Sequence, residues 1–421
     1  MTSHSKCFRR AALAALLAGT VPAWGEDLPL GFTFGPGETV TYDSNVFRQP
    51  SSAVQANVQH DVSSTTNLSA NLHEMYGRED VTASATIGRV FYKQLKDLDY
   101  TQQDLRAAVQ AHFPLQIDGA LAVSHTASLA HYADITTTTR NVITRNDVNG
   151  NIDFPLVYDF RAVVGGEESQ SRNSADLYKT QDFNTAEMNG GLRYQPTTGN
   201  HVDLLVRSIN GTYINGSPAS FVGPGYRDDD ADLSADWTFS GNSHLHGRAG
   251  YVKHTHDDHL FPSQTPTGAP KLVGGLPVFV DIDRNFSGPA FDLTYLWQLT
   301  AATSLRFFGV RESGAAGDNS YQSAVSHTYR VTPTYQLTFK TQLQAYAEWS
   351  RRDYFTNVLV GTGQAEGPRL DHAHSVGITG LWNPRRWLQA SLDLHHEVRD
   401  STLALFTYND TVATLQIQGS F

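Results

Sequence analysis

The sequence has almost no cysteine and no long apolar run. Its one cysteine in 421 residues is Cys7, which precedes the short apolar stretch at 11–19 instead of following it, as a lipid-attachment cysteine would. Beyond that stretch the chain offers no disulfide, no thiolate nucleophile and no cysteine-ligated metal site. No segment approaches the roughly 18 consecutive apolar residues that indicate a transmembrane helix.

Basic residues are scarce, because 31 Lys and Arg face 42 Asp and Glu, for a formal net charge of -11. Three of the basic residues, Lys6, Arg9 and Arg10, precede the apolar stretch. Small residues follow that stretch up to Gly25, so the sequence predicts a secretory signal peptide over residues 1–25. Removing it takes the formal charge to -14. An acidic, exported chain is a poor partner for nucleic acid, and none is expected.

Strict alternation of apolar and polar residues recurs along most of the chain. In Gln102–Phe113, leucine, alanine, valine and phenylalanine share one side, while Asp104 and Arg106 lie on the other. Leu388–Val398 repeats the pattern near the other end of the chain. A period of two predicts β-strands with one apolar face. The 34 glycines and 11% aromatic residues fit such a β-rich exported chain.

Short turns follow aromatic residues and alternate with longer polar stretches. Eight short turns are visible, among them those after Phe113, Tyr194 and Trp382. The longer stretches are 49–63, 133–141, 212–227 and 254–281. This pattern predicts an all-β fold, a single transmembrane antiparallel β-barrel of about 18 strands with short periplasmic turns and long extracellular loops. About 16 strands is the alternative, because the strands near 141–157 and 165–172 are poorly defined.

The predicted organisation is a short periplasmic lead-in at 26–36 and a barrel over 37–421 in the bacterial outer membrane. The last strand, Thr411–Phe421, alternates and ends on Phe421, which resembles the sorting signal of outer-membrane proteins. The expected partners are outer-membrane lipid and lipopolysaccharide, and the barrel assembly machinery. Barrels of this size are often homo-oligomers, but no residue pattern marks a subunit interface.

Charged residues on the polar faces of the predicted strands are candidates for lining the lumen. Rings of such side chains set the selectivity of pores, so we expect them to touch permeating solute. The candidates are Asp104, Arg106, Arg193, Asp203, Arg207, Asp236, Arg248, Asp292, Arg306, Asp393 and Glu397.

Two polar clusters resemble metal sites. His254, His256 and His259 have the side chains and spacing of metal ligands, but they begin the longest predicted loop, where polar residues need no further reason. The run Asp228-x-Asp230-x-Asp232 begins like a calcium loop. An EF-hand would need glycine and glutamate at later positions that hold Leu233 and Phe239, so it is rejected. No metal or other cofactor is predicted.

The sequence also holds serine and histidine neighbours of the kind that a catalytic site uses. Ser243 precedes His244 and His246, and His395 shares a face with two carboxylates. A catalytic Ser–His–acid set is defined by geometry and not by chain order. With 17 histidines, however, such neighbours arise by chance, and Ser243 lies at a predicted periplasmic turn. The chain is therefore predicted not to be an enzyme.

The opening strand carries a family motif. It reads Gly37-Glu38 and then Tyr42-Asp43-Ser44-Asn45-Val46-Phe47-Arg48. With the signal peptide, chain length and terminal Phe, this resembles EpsL-type exopolysaccharide-operon outer-membrane proteins and the related beta-barrel porin 2 family. The resemblance implies a barrel encoded with a polysaccharide export system, whose components are then partners. It implies no catalytic residue.

The sequence thus predicts a pore associated with exopolysaccharide biosynthesis or export, through which saccharide passes passively in a hydrated lumen. One alternative is a general or substrate-specific porin unrelated to polysaccharide export, and another is a plugged structural or adhesin barrel. Within the motif, Asp43 and Asn45 are expected to hydrogen-bond nearby backbone and fix a bend, where the first strand closes against the strand that ends at Phe421. Tyr42 and Val46 are expected to face lipid.

Overall fold

The structure is a computed structural model that describes residues 31–50, 60–134, 137–197, 199–216, 225–257, 260–262, 271–281, 285–314, 323–355 and 369–421. Eighteen long strands form one antiparallel sheet. They are β1 (Gly31–Asp43), β2 (Asp61–Tyr76), β3 (Glu79–Tyr92), β4 (Tyr100–Phe113), β5 (Ile117–Leu129), β6 (Val142–Pro155), β7 (Phe160–Asn173), β8 (Phe183–Thr197), β9 (Asn200–Tyr213), β10 (Gly225–Ser240), β11 (Ser243–His256), β12 (Phe286–Gln298), β13 (Thr303–Gly314), β14 (Ser323–Thr338), β15 (Thr341–Phe355), β16 (Leu370–Arg385), β17 (Leu388–Ser401) and β18 (Tyr408–Gly419).

The sheet closes on itself. Each strand pairs with the next one along the chain, and residues 37–43 of β1 pair with residues 412–418 of β18. A closed sheet has no edge, so its backbone groups are satisfied within lipid. The predicted 18-strand barrel is confirmed and the 16-strand alternative is wrong, because β6 and β7 are both full strands.

The first strand begins earlier than the boundary at 37 that the sequence predicted. β1 starts at Gly31, which pairs with His73 of β2. Residues 31–36 therefore belong to the barrel wall and not to the lead-in. The alternation of Phe32 and Phe34 with small residues is the signal for this earlier start, because both rings face outward and are exposed.

Connections differ in length at the two ends of the barrel. At one end, turns of two to four residues join the strands, and these are periplasmic in outer-membrane barrels. The longer connections at the other end include four 3-10 turns, Lys96–Leu98, Tyr132–Asp134, Asp176–Gln181 and Ala404–Phe406, and two short β-ribbons within 260–281. Among the described residues, no helix has the length and apolar character needed to cross a membrane.

An apolar belt covers the outside of the barrel. Leu204 and Val206, for example, are 59% and 60% exposed on the outer face of β9. Trp297 and Trp382 lie near the periplasmic turns, and Trp349 lies just to the extracellular side of the middle of β15, as in the two aromatic girdles of membrane barrels. A closed barrel with such a belt belongs in lipid, and the protein is a barrel of the bacterial outer membrane.

Val46 does not face lipid, contrary to the expectation from alternation. It is buried in a cluster with Phe47, Leu98 and Tyr132, which lie in extracellular connections. The reason is that β1 ends at Asp43, so the alternation of the strand no longer decides where Val46 points.

Candidate functional site: the lumen and its extracellular mouth

The eleven lumen candidates all lie at inward positions of the wall. Asp104 and Arg106 on β4, for example, alternate with Leu105 and Ala107, whose cross-strand partners include the outward-facing Val123. Their role in touching solute stays a prediction.

Four of these charges are paired with each other, and most of the others contact different polar residues of the inner wall. Arg106 contacts Asp104 at 2.7 and 2.8 Å, and Arg193 contacts Asp203 at 2.8 and 2.9 Å in a two-point ion pair. The structure also joins Arg207 to Asp232, which Arg248 contacts at 3.1 Å. Asp393 accepts a hydrogen bond from Thr379 at 2.6 Å, and Glu397 accepts one from Tyr408 at 2.5 Å. Arg306 differs from them, because it forms no ion pair with any residue that the structure describes.

A chain of ion pairs follows the inner wall near the periplasmic end. It begins where His112 contacts Asp118 at 2.7 Å, and Arg161 contacts the same carboxylate at 2.6 Å. Arg193 then reaches Asp153 at 2.5 Å as well as Asp203. We call this set the periplasmic ladder; its members are His112, Asp118, Asp153, Arg161, Arg193, His201, Asp203, Asp236, His244 and His246.

The ladder ends at two histidines of β11. His246 contacts Asp236 at 2.8 Å and His244 contacts the same residue at 3.5 Å. Ser243 instead lies 3.3 Å from the hydroxyl of Ser240 in the adjacent turn. The two histidines next to Ser243 are thus directed at a carboxylate and not at its hydroxyl, so the described contacts give no catalytic Ser–His pair there.

His254 and His256 lie in a strand and not in a loop, so the predicted loop start at 254 is wrong. β11 extends to His256, and β10 begins at Gly225, because strand pairing continues further toward the extracellular side than the sequence pattern suggested. Asp228, Asp230 and Asp232 accordingly share the inner face of β10.

The imidazoles of His254 and His256 contact each other and are not arranged around a shared position for a metal ion. His254 bonds to Asp228, and its Nε2 lies 3.0 Å from Nε2 of His256. Phe286 stacks on His254 with ring centroids 4.6 Å apart. Within the described ranges no group of three or more His, Cys, Asp or Glu residues is arranged to hold a metal. His259 lies outside the described residues.

The connection between β5 and β6 is called L3 (residues 130–141), and its described residues 130–134 reach inward over the extracellular mouth. Tyr132 packs edge-on against Phe47 with ring centroids 5.0 Å apart. The carbonyl of Ala133 accepts a hydrogen bond of 2.7 Å from Arg399 of β17. Five strands lie between β5 and β17 along the wall, so L3 leaves its own strands to make this contact.

Arg399 is held by a buried cluster on the inner wall. It pairs with Asp371 of β16, which Arg369 also contacts at 2.9 Å. The guanidinium of Arg369 lies over the ring of Phe406, 3.3 Å from its centroid, and the Arg369 side chain is fully buried. We call Arg399, Asp371 and Arg369 the latch. No sequence pattern predicts the latch, because its three residues meet only through strand pairing and loop packing.

Asp43 and Asn45 lie where the barrel closes. Asp43 accepts the backbone N–H of Asn45 at 2.8 Å, a local turn of the kind that Asx side chains form. The Asn45 side chain donates to the carbonyl of Asn409 at 3.1 Å. At the opposite end of β1, Phe34 and Phe421 exchange backbone hydrogen bonds of 2.8 and 3.1 Å. Their role in assembly stays a prediction.

Arg48 joins the first and last strands of the barrel, a contact that the sequence did not predict. It contacts Asp43 at 2.9 Å and Asp410 of β18 at 2.8 Å, with a positive φ of 52°. Burial alone would lower the pKa of the Arg48 guanidinium, but the charges of Asp43 and Asp410 outweigh burial and raise that pKa. Arg48 thus remains charged and bridges the first and last strands.

Comparison with solved structures finds outer-membrane proteins. OccAB3 of Acinetobacter baumannii shows 6% identity and a TM-score of 0.48, with 93% of this chain and 99% of that chain covered. The outer membrane protein opdK of Pseudomonas aeruginosa shows 10% identity and a TM-score of 0.49, with the same coverage. No protein-family model and no curated protein matches the chain. The resemblance to EpsL-type proteins therefore stays a prediction.

Proposed function

We propose that the protein is a porin that lets small polar solutes diffuse passively through the outer membrane. The observation that carries the proposal is a polar inner wall with L3 held inward across its mouth by Arg399. A barrel of about 18 strands is wide enough to leave an aqueous lumen. A loop that narrows the mouth then limits the size of the solute, and the charges that remain on the wall select among solutes.

We favour the hypothesis of a porin over the hypothesis of polysaccharide export. The export hypothesis rests on the motif at 37–48, whose residues make closure contacts that any barrel needs. An inward L3 also obstructs a polymer more than it obstructs a small solute. Saccharides remain suitable small solutes, because hydroxyl and carboxylate groups of the inner wall can hydrogen-bond to them.

Planar-bilayer recordings and liposome swelling test the proposal. We expect stepwise, ohmic conductance, and swelling rates that fall steeply from monosaccharide to trisaccharide. Absence of conductance in correctly folded protein would contradict the pore and favour a plugged scaffold. Equal swelling for long oligosaccharides would favour polymer passage instead, as would loss of exopolysaccharide secretion in a deletion strain.

A further inference from the structure

A strip of basic and imidazole side chains crosses the outer surface of the barrel. Arg311, His327, Arg351 and His372 are successive cross-strand partners on β13, β14, β15 and β16. Side chains in such register lie about 5 Å apart on one face of the sheet. The Nε of Arg311 donates to Nε2 of His327 at 3.0 Å, so these two side chains are in direct contact.

The strip faces outward, toward lipid. His327 and Arg351 lie two residues from Tyr329 and Trp349 and share their face of the sheet, and those two rings are 50% and 48% exposed on the outer face. His374 and His396 extend the outward set on β16 and β17, and both are exposed. We call these six residues the outer strip: Arg311, His327, Arg351, His372, His374 and His396.

The four residues of the outer strip that are successive cross-strand partners lie at the depth of lipid headgroups, and His374, the cross-strand partner of Trp349, lies beside the girdle. Arg311, His327, Arg351 and His372 are each within four residues of the extracellular end of their strand. The exposed rings of Tyr329 and Trp349 lie one step nearer the periplasm, where an aromatic girdle meets the hydrocarbon boundary. Side chains directly beyond the girdle meet the polar groups of the outer leaflet.

We infer that the outer strip binds the phosphate groups of lipid A in the outer leaflet, a property separate from passage through the lumen. Guanidinium and imidazole N–H groups form charge-assisted hydrogen bonds with phosphate. Two carboxylates share this face. Asp353 contacts Arg351 at 2.9 Å, and Asp400 is the cross-strand partner of His372. Arg311 and the exposed imidazoles therefore supply the donors on either side of Arg351.

Within the described residues, the remaining extracellular rim does not repeat this concentration. Its outward charges are mixed in sign, as with Glu168 on β7 and the pair formed by Arg227 and Asp229 on β10. A protein partner is disfavoured, because the girdle side chains next to the outer strip have to lie in lipid. A lipid of the outer leaflet contacts both the girdle and the outer strip, so a lipid is the ligand that fits both surfaces.

A charge-removal variant with a matched control tests the inference. The strip variant combines Arg311→Gln, His327→Gln, Arg351→Gln and His372→Gln. The control variant removes three permanent charges and one imidazole on the outward rim elsewhere, through Arg89→Gln, His125→Gln, Arg227→Gln and Lys253→Gln, so it loses at least as much positive charge as the strip variant. Both are purified in detergent, checked for heat-modifiable gel migration and titrated with bis-phosphorylated lipid A in native mass spectrometry.

We expect the strip variant to bind lipid A about tenfold more weakly than the parent protein, because charge-assisted donors are lost. The control variant should bind as the parent does, and dephosphorylated lipid A should not distinguish the three proteins. Equal lipid A binding by strip and control variants would overturn the inference. So would equal loss with phosphatidylglycerol, which would indicate a general phospholipid contact. If the strip variant misfolds, the double variants Arg311→Gln/His327→Gln and Arg351→Gln/His372→Gln are titrated instead.

Discussion

At the scale of single residues, several charges of the inner wall neutralise each other in pairs. The sequence predicted which charged residues point inward, because alternation decides that for each strand separately. It could not show that Arg193 and Asp203, or Arg106 and Asp104, cancel each other, since that depends on register and rotamer. Selectivity therefore depends most on charges without such partners, and Arg306 is the clearest case.

Replacing Arg306 with Gln should shift the pore toward cations. Its guanidinium points into the lumen from β13 and has no described counter-charge, so the change removes a full positive charge from the permeation path. The reversal potential in a salt gradient measures the shift. Arg306→Lys is the matched control and should keep the selectivity of the parent protein. An unchanged reversal potential in Arg306→Gln would show that solute does not pass near this residue.

Replacing Arg48 with Gln should weaken barrel closure. The Arg48 and Asp410 side chains are 10% and 1% exposed, so the change leaves a buried carboxylate without its cation. Breaking a buried ion pair costs about 3–5 kcal/mol. The temperature at which the folded band disappears from heat-modifiability gels should fall. Arg227→Gln, in an exposed pair with Asp229, is the control and should cost at most about 1 kcal/mol. Equal melting of the two variants would contradict this bridging role.

At the scale of elements, strands were more predictable than connections. A period of two is a local property, and it located most strands and all eight short turns. The inward path of L3 is not local, because it depends on Arg399, 266 residues away, and on packing against Phe47. The sequence located L3 as a long polar stretch but contained no local signal for its direction.

Replacing Arg399 with Gln should free L3 and widen the mouth. The change removes the hydrogen bond to Ala133, while Arg369 still pairs with Asp371 and keeps the wall folded. Single-channel recordings should show a higher mean conductance and more open-channel noise. Deleting 131–138 should raise conductance at least as far, because it removes the loop itself. If both variants conduct as the parent does, L3 does not limit permeation.

At the scale of the whole molecule, both the closure of the barrel and the periplasmic ladder depend on the register of strand pairing. The strand count followed from the number of turns, so the closed barrel was predictable from sequence. The ladder was not, because it joins side chains on eight successive strands that are far apart in the chain. Asp153 and Arg161 were missed, since β6 and β7 alternate weakly and were poorly defined in the sequence.

The periplasmic ladder should make selectivity depend on pH. It holds four carboxylates, two guanidiniums and four imidazoles, so its net charge is negative while the histidines are neutral and becomes positive when they are protonated. Lowering the pH until the ladder histidines are protonated should therefore move the reversal potential toward anions.

Four substitutions in the periplasmic ladder separate the contribution of its histidines to the pH dependence from that of other titrating groups. Changing His112, His201, His244 and His246 to Gln should remove most of the pH dependence, since the ladder then keeps a constant negative charge. His372→Gln with His374→Gln changes two histidines on the outside of the barrel and should leave the dependence intact. If the ladder variant retains the full shift, other groups in the lumen set the response, and the ladder acts only to hold its eight strands in register.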